Sequence, residues 1–209
     1  MKIYNLIAAF LIFAAFSANS AEKDPLTILC MGDSLTAGYG LKEHMAFPNL
    51  IEKKLKEEGQ NIKVLNAGVS GNTSAGGVRR LNWYFNRKID IMVLALGAND
   101  GLRGLPVKST EENLQKIIDL AKKKNPDIKI VLAGMKVPPN MGEEYSAAFS
   151  KLFPELAEKN KIPLIPFLLS GVAGIKSMNL PDGIHPNEAG QKIVAANVLK
   201  VLSELLSSK

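Results

Sequence analysis

Beyond its first two dozen positions the chain alternates short, unbroken apolar runs with longer stretches in which apolar residues recur every three or four positions. Leu26–Met31 reads as a buried strand, and Ile62–Ala67, Ile89–Leu96, Ile128–Ala133 and Pro163–Phe167 repeat the pattern. Between them Phe47–Glu58 (closed by Gly59), Val78–Lys88, Thr110–Lys124 and Tyr145–Asn160 read as helices, and Asn187 to about Leu206 reads as a closing helix. Thr110–Lys124 carries the fullest set of signals: Ser109 or Thr110 as cap, glutamates in the first turn, lysines in the last. Strands that are apolar along their whole length need cover on both faces, and strands alternating with helices pair in parallel. The pattern therefore predicts an α/β fold, a parallel five-stranded sheet inside a three-layer α/β/α sandwich. Such sheets place their sites at the carboxyl ends of the strands. Gly32-Asp33-Ser34, Gly68–Ser74 and Gly97–Gly101 follow the first three strands, and Asp182–Pro186 precedes the last helix. These four polar or glycine-rich segments are predicted to converge on one pocket.

The length of 209 residues suits one domain, and a hydrophobic content of 46% supplies a sizeable core. The N-terminus reads differently from the rest. Lys2 gives a positive start, Ile3 to Phe16 carries no charge, and small residues follow at Ser17, Ala18, Ser20 and Ala21. That order is a secretory signal, expected to span residues 1–21 with cleavage near Ser20 or Ala21, and to leave one domain over residues 22–209. An uncleaved anchor is the alternative, but a spanning helix wants about 20 apolar residues. The protein is expected in the periplasm or outside the cell. Cys30, the single cysteine, sits inside the first apolar run and reads as a buried, inert thiol. The formal net charge is +6, with the basic residues spread among acidic ones as in Glu52 to Glu58. This spread gives no nucleic-acid footprint, and leaves room for weak, transient attraction to an anionic membrane surface. A monomer is expected.

Ser34 follows the first strand directly, in Gly-Asp-Ser-Leu-Thr-Ala-Gly-Tyr-Gly. A serine leading from a strand into a helical region can expose its hydroxyl at the sheet edge, or simply cap the helix. The Gly-x-Ser-x-Gly elbow of the α/β-hydrolases is absent. A hydroxyl becomes a competent nucleophile when a base takes its proton, and the chain has two histidines. His44 has no polar motif about it and reads as a surface or rim residue. His185 lies in Pro-Asp-Gly-Ile-His-Pro-Asn, between two prolines and two residues after a glycine. Asp182, three residues earlier, can lie beside it in a turn and hold one ring nitrogen, leaving the other for Ser34; a plain solvated turn is the other reading. Acyl transfer also needs donors for the oxyanion. The backbone N–H groups of Ser34 and Gly71 and the side-chain amide of Asn99 are candidates, although the Gly71 and Asn99 loops also suit ordinary turns. No metal-ligand spacing occurs.

Taken in order, Gly-Asp-Ser-Leu, the glycine loop at Asn66–Ser74, Gly97–Gly104, Pro138–Phe153 and Asp182–Asn187 resemble the SGNH (GDSL) hydrolase family. The likeness spans nearly all of residues 22–209 and is strongest to the bacterial thioesterase-I/lysophospholipase/arylesterase branch. It implies a flavodoxin-like sheet of five parallel strands. It also implies a catalytic triad of Ser34, Asp182 and His185, an oxyanion hole of Ser34, Gly71 and Asn99, and no cofactor. Relatives often carry an acid at the position of Asn72 and a glycine at that of Ala98, departures that touch no catalytic group. The implied activity is hydrolysis of carboxylic esters and thioesters such as lysophospholipids, acyl thioesters or aryl esters. Glycan O-deacetylation and silent binding of acyl or glycan ligands are the alternatives. Leu164–Ile175 and Met135–Met141 are candidate walls of an acyl groove, or plain core.

Overall fold

Five runs of Ile, Leu, Val, Met and Ala pair along one sheet in a computed structural model that describes residues 24–207. The expected signal segment lies outside those residues. β1 (Leu26–Gly32), β2 (Ile62–Gly68), β3 (Ile91–Ala95), β4 (Lys129–Ala133) and β5 (Leu164–Ile165) pair in parallel in the order β2-β1-β3-β4-β5. This is the flavodoxin-like order. Every residue of β3 is buried, as are Ile28, Leu29, Cys30 and Met31 of β1, so the central strands are covered on both faces. Burial pushes the Cys30 thiol up to about 12, which keeps it protonated and unreactive.

Right-handed crossovers dictate which layer each helix joins. The step from β1 out to β2 places α2 (Phe47–Glu57) on one face, where α7 (Glu188–Ser207) packs beside it. The opposite steps to β3, β4 and β5 place α3 (Ser74–Arg80), α5 (Val107–Lys124) and α6 (Glu143–Asn160) on the other face, packed in sequence. Two short helices were read as loops from sequence: α1 (Ser34–Ala37) and α4 (Ala98–Leu102). They form because the polar segments leaving β1 and β3 turn at once into helical geometry.

Several boundaries differ from the expectation, most by one or two residues. The helix expected over Val78–Lys88 is α3, four residues earlier at its start, because Thr73 caps it with its side-chain oxygen; past Arg80 the chain tightens into a 3₁₀ turn at Leu81–Trp83. The third strand begins at Ile91, not Ile89. The fifth shrinks to Leu164–Ile165 between Pro163 and Pro166. Finally, α5 starts at Val107 after Pro106, with no side-chain cap and no acid in its first turn. Thr110, expected as a cap, is a buried residue one turn inside the helix, and its hydroxyl faces Asp100 at 3.5 Å.

The strand ends meet tightly. A Cβ on Gly68 would come within 2.1 Å of the Ala37 nitrogen, so only glycine lets α1 lie across the end of β2. In register, Gly32 pairs with Gly68 on one side and Ala95 on the other. The chain leaves β1 toward β2 on its left and resumes at β3 on its right, and this switch point is where a site is expected.

Candidate active site

Ser34 is the first residue of α1, and its neighbour Asp33 is the cap: Asp33 Oδ1 accepts the Leu35 N–H at 3.0 Å. Helical turning directly after the strand presents the Ser34 hydroxyl at the sheet edge. Gln191 of α7 locks this helix from behind. Buried at 1% exposure, it donates to the Leu35 carbonyl and accepts from the Phe47 N–H.

On the other side, the segment before α7 folds back through an antiparallel bridge between Asn179 and Pro186. Leu180 N–H donates to the His185 carbonyl at 2.7 Å, and Gly183 N–H to the Leu180 carbonyl at 2.9 Å. Within this turn Asp182 Oδ1 accepts both the Ile184 and His185 backbone N–H groups at 3.0 Å. Its Oδ2 lies 2.7 Å from His185 Nδ1, and His185 Nε2 lies 2.9 Å from Ser34 Oγ. The three side chains thus form one hydrogen-bonded line. A hydroxyl, an imidazole and a carboxylate in that order allow the ring to take the hydroxyl proton while the carboxylate holds its tautomer. The two backbone donors of the turn, followed by the imidazole, hold the Asp182 carboxyl down at about 2. Tyr39 flanks the imidazole, ring centroids 4.5 Å apart.

The remaining predicted residues lie beside this line, and Gly71 and Asn99 line the same cavity as Ser34 and His185. Gly71 adopts φ +76°, a left-handed conformation that favours glycine, and Arg103 Nη2 donates to its carbonyl at 2.9 Å. Asn99, the second residue of α4, donates from Nδ2 to the Asn72 carbonyl at 3.1 Å and to Asp33 Oδ2 at 3.3 Å. The contact to Asn72 is of ordinary length, and that to Asp33 is slightly long. His44 is exposed in a 3₁₀ turn, lining a different hollow on the α2 face, as its surface reading required.

Three buried polar residues with no role assigned from sequence build the strand side of the site. Asp33 is 0% exposed, and burial pushes its carboxyl up to about 6 against the opposing effect of its Leu35 and Asn99 donors. Arg80, 5% exposed, meets no carboxylate among the described residues. Its guanidinium instead donates to the carbonyls of Gly32 (2.6 Å) and Ala67 (2.8 Å), to Asn72 Oδ1 (3.0 Å) and to the Tyr84 hydroxyl (3.0 Å). It therefore ties the ends of β1 and β2 to the glycine loop. Asp100, 1% exposed, accepts the Ser74 N–H at 2.8 Å and the Ser74 hydroxyl at 2.5 Å. The signal for Arg80 in the sequence was a second arginine directly after Arg79, three and four residues past Gly77 and Gly76 on a helix that must pack closely.

A cavity of about 720 Å³ opens beside Ser34, within the range of small-molecule sites. Both segments proposed as groove walls contribute: Val137 and Pro138 from one, Phe167, Leu169 and Ala173 from the other. Leu168 and Val172 of the second segment turn away into the core. Among the described residues no three His, Cys, Asp or Glu side chains come together as a metal site.

The family model for the GDSL-like lipase/acylhydrolases matches residues 30–193. Esterase TesA of Pseudomonas aeruginosa is 39% identical over 181 residues, covering 86% of this chain and 89% of the relative. Thioesterase 1/protease 1/lysophospholipase L1 of Escherichia coli is 35% identical over 205 residues, covering 98% and 94%. Among solved structures, the psychrotrophic esterase EstA from Pseudoalteromonas sp., inhibited by monoethylphosphonate, superposes with a TM-score of 0.82 at 32% identity. That match covers 87% of this chain and 99% of the esterase.

Proposed function

Since the chain belongs to the GDSL-like lipase/acylhydrolase (SGNH) family of hydrolases, we propose that it hydrolyses acyl esters and thioesters by nucleophilic attack from Ser34. The observation that carries this reading is the unbroken line Ser34–His185–Asp182, with contacts of 2.9 and 2.7 Å. His185 takes the Ser34 proton as Oγ attacks the carbonyl carbon. The tetrahedral oxyanion receives the Ser34 and Gly71 N–H groups and the Asn99 amide. His185 then protonates the leaving alcohol or thiol. A water activated by the same ring releases the acid and restores Ser34. Asp182, fully ionised at neutral pH, stabilises the imidazolium.

The apolar wall of Val137, Phe167 and Leu169 favours an acyl chain longer than acetyl. Relatives named esterase and thioesterase/lysophospholipase support the same range. We further propose that the segment 1–21 is an export signal removed near Ser20 or Ala21, on its positive start, apolar stretch and small-residue end. Mass spectrometry of exported protein checks the cut. The test of function is hydrolysis of p-nitrophenyl esters from acetate to palmitate. Wild type should prefer medium or long chains, and Ser34→Ala should lose at least about 10³-fold in kcat while melting normally. Full activity in the variant would sink Ser34 as nucleophile; activity confined to acetate would favour deacetylation.

A further inference from the structure

Large apolar side chains left on a surface carry information when they gather. Seven are exposed among the described residues; three of them line one opening and three more lie on the segments that line it. Tyr39, Leu102 and Ile184 line the cavity mouth itself. Val69 and Ile175, 41% and 43% exposed, directly adjoin the lining residues Ser70 and Gly174. Leu105 stands three residues beyond Leu102, on a loop drawn in by its N–H bond to the Asp100 carbonyl. Only Trp83, past the end of α3, lies elsewhere.

The charge on four of these loops is one-sided, while the turn of Ile184 carries Asp182, which is taken up by His185. Segments 69–73, 101–106, 134–142 and 166–181 hold Arg103, Lys136 and Lys176 and not one carboxylate. Cations alternate with apolar residues in Leu102-Arg103 and Ile175-Lys176. Lys136 Nζ lies over the Phe167 ring, 5.1 Å from its centroid, and both residues line the cavity. An apolar rim interleaved with cations, its one nearby acid Asp182 already paired with His185, matches the boundary between headgroups and acyl chains of an anionic lipid layer.

We infer that the loops around the cavity mouth are a docking surface for anionic lipid layers, which seats the mouth on the layer so that a lipid ester reaches Ser34 without crossing water. The inference rests on the lipid-ester reading above for its purpose, while the docking itself is measured without turnover.

The experiment measures sedimentation with vesicles of phosphatidylcholine containing phosphatidylglycerol. It uses protein whose N-terminus, by mass spectrometry, lies beyond residue 16, with Ser34→Ala as a background free of turnover. Val69, Leu105 and Ile175 do not line the cavity, so the triple variant Val69→Ser/Leu105→Ser/Ile175→Ser tests the rim alone. Its vesicle partition should fall about tenfold or more. On the active background, hydrolysis of a water-soluble short-chain ester should stay within about twofold. Lys176→Ala should weaken binding about fivefold on anionic vesicles and leave phosphatidylcholine vesicles unaffected. The three single variants give the same reading if the triple variant melts early. Wild-type protein that does not bind, or a well-folded triple variant that binds as well as wild type, overturns the proposal. So does light scattering that shows a dimer dissociated by the same substitutions, since a second copy would then cover the patch. Lost vesicle binding with short-chain hydrolysis intact removes docking alone; lost hydrolysis with docking intact removes only the esterase reading.

Discussion

The two sides of the site are built from different material. The strand side, carrying Ser34, Gly71 and Asn99, rests on buried polar groups: Asp33, Arg80 and Asp100 are all at or below 5% exposure, and each makes several hydrogen bonds across different elements. The turn side, carrying Asp182 and His185, is a short exposed hairpin. Asp182 is about a third exposed, and its partners are its own turn and the imidazole. In the proposed reaction the donors of the strand side stay fixed, because preorganised donors act only if they need not reorient. The proposed base accepts and releases a proton with access to solvent, and a deeply buried ion pair there would resist that exchange. The fold thus concentrates rigidity beneath the proposed nucleophile and leaves the proposed base on an independent, lightly tied turn.

If this division holds, damage to the two sides should register in different measurements. The largest effect belongs to the turn. Asp182→Asn retains an oxygen for the Ile184 and His185 N–H groups but loses the charge that supports the imidazolium. We expect kcat to drop about 10² to 10⁴-fold, with the melting temperature falling by no more than about 2–4 °C at neutral pH. A variant that melts early with proportionate activity loss would show that the turn is a stability element after all.

The next effect belongs to the strand side. Arg80→Met keeps the volume but removes four donors, leaving the Ala67 carbonyl and Asn72 amide oxygen without this partner. We expect a stability loss of about 2–4 kcal/mol and a fall in melting temperature of roughly 5–15 °C, read by thermal circular dichroism. Asn72→Asp places a carboxylate 3.0 Å from the Arg80 Nε that now faces a neutral amide. It should raise the melting temperature by about 2–4 °C, as about 1 kcal/mol would in a chain of this size. An unchanged melt in both variants would remove Arg80 as the clamp.

How much of this was legible in the sequence follows the same division. The turn side was legible as a candidate, because in a proline-bounded Asp-Gly-Ile-His run residues three apart can meet in a turn; the choice against a plain solvated turn came from the family resemblance. The sheet was readable from the continuous apolar runs, down to the segments expected at its edge. The strand side was half readable. Ser34, Gly71 and Asn99 stood out through glycine and asparagine turns, but α1 and α4 did not, since four- and five-residue helices are too short to show a period. The roles of Arg80 and Asp100 depend on contacts to residues 48 and 26 positions away, and no local pattern encodes those distances. Thr110 misled for the same reason: its hydroxyl fits a cap, and tertiary packing gave it to Asp100 instead.

The finest test sets the two aspartates against each other in one titration. Both start from an ordinary value of 3.8 and shift in opposite directions, Asp33 up to about 6 by burial and Asp182 down to about 2 by the N–H groups of its turn. Linkage turns each shift into a slope of stability with pH. For Asp33 the folded form binds its proton more tightly, so its contribution is fully present below 3.8 and is lost as pH rises through about 6. For Asp182 the folded form holds the charge more tightly, so its contribution is present above 3.8 and is lost as pH falls through about 2. Urea midpoints of wild type, Asp33→Asn and Asp182→Asn should therefore diverge in separate windows. Relative to Asp33→Asn, wild type should gain stability as pH drops from 6 to 4. Relative to Asp182→Asn, it should lose stability as pH drops below 4. Slopes of the same sign would mean that the two carboxylates share one environment and that the division between a buried strand side and an open turn side is wrong.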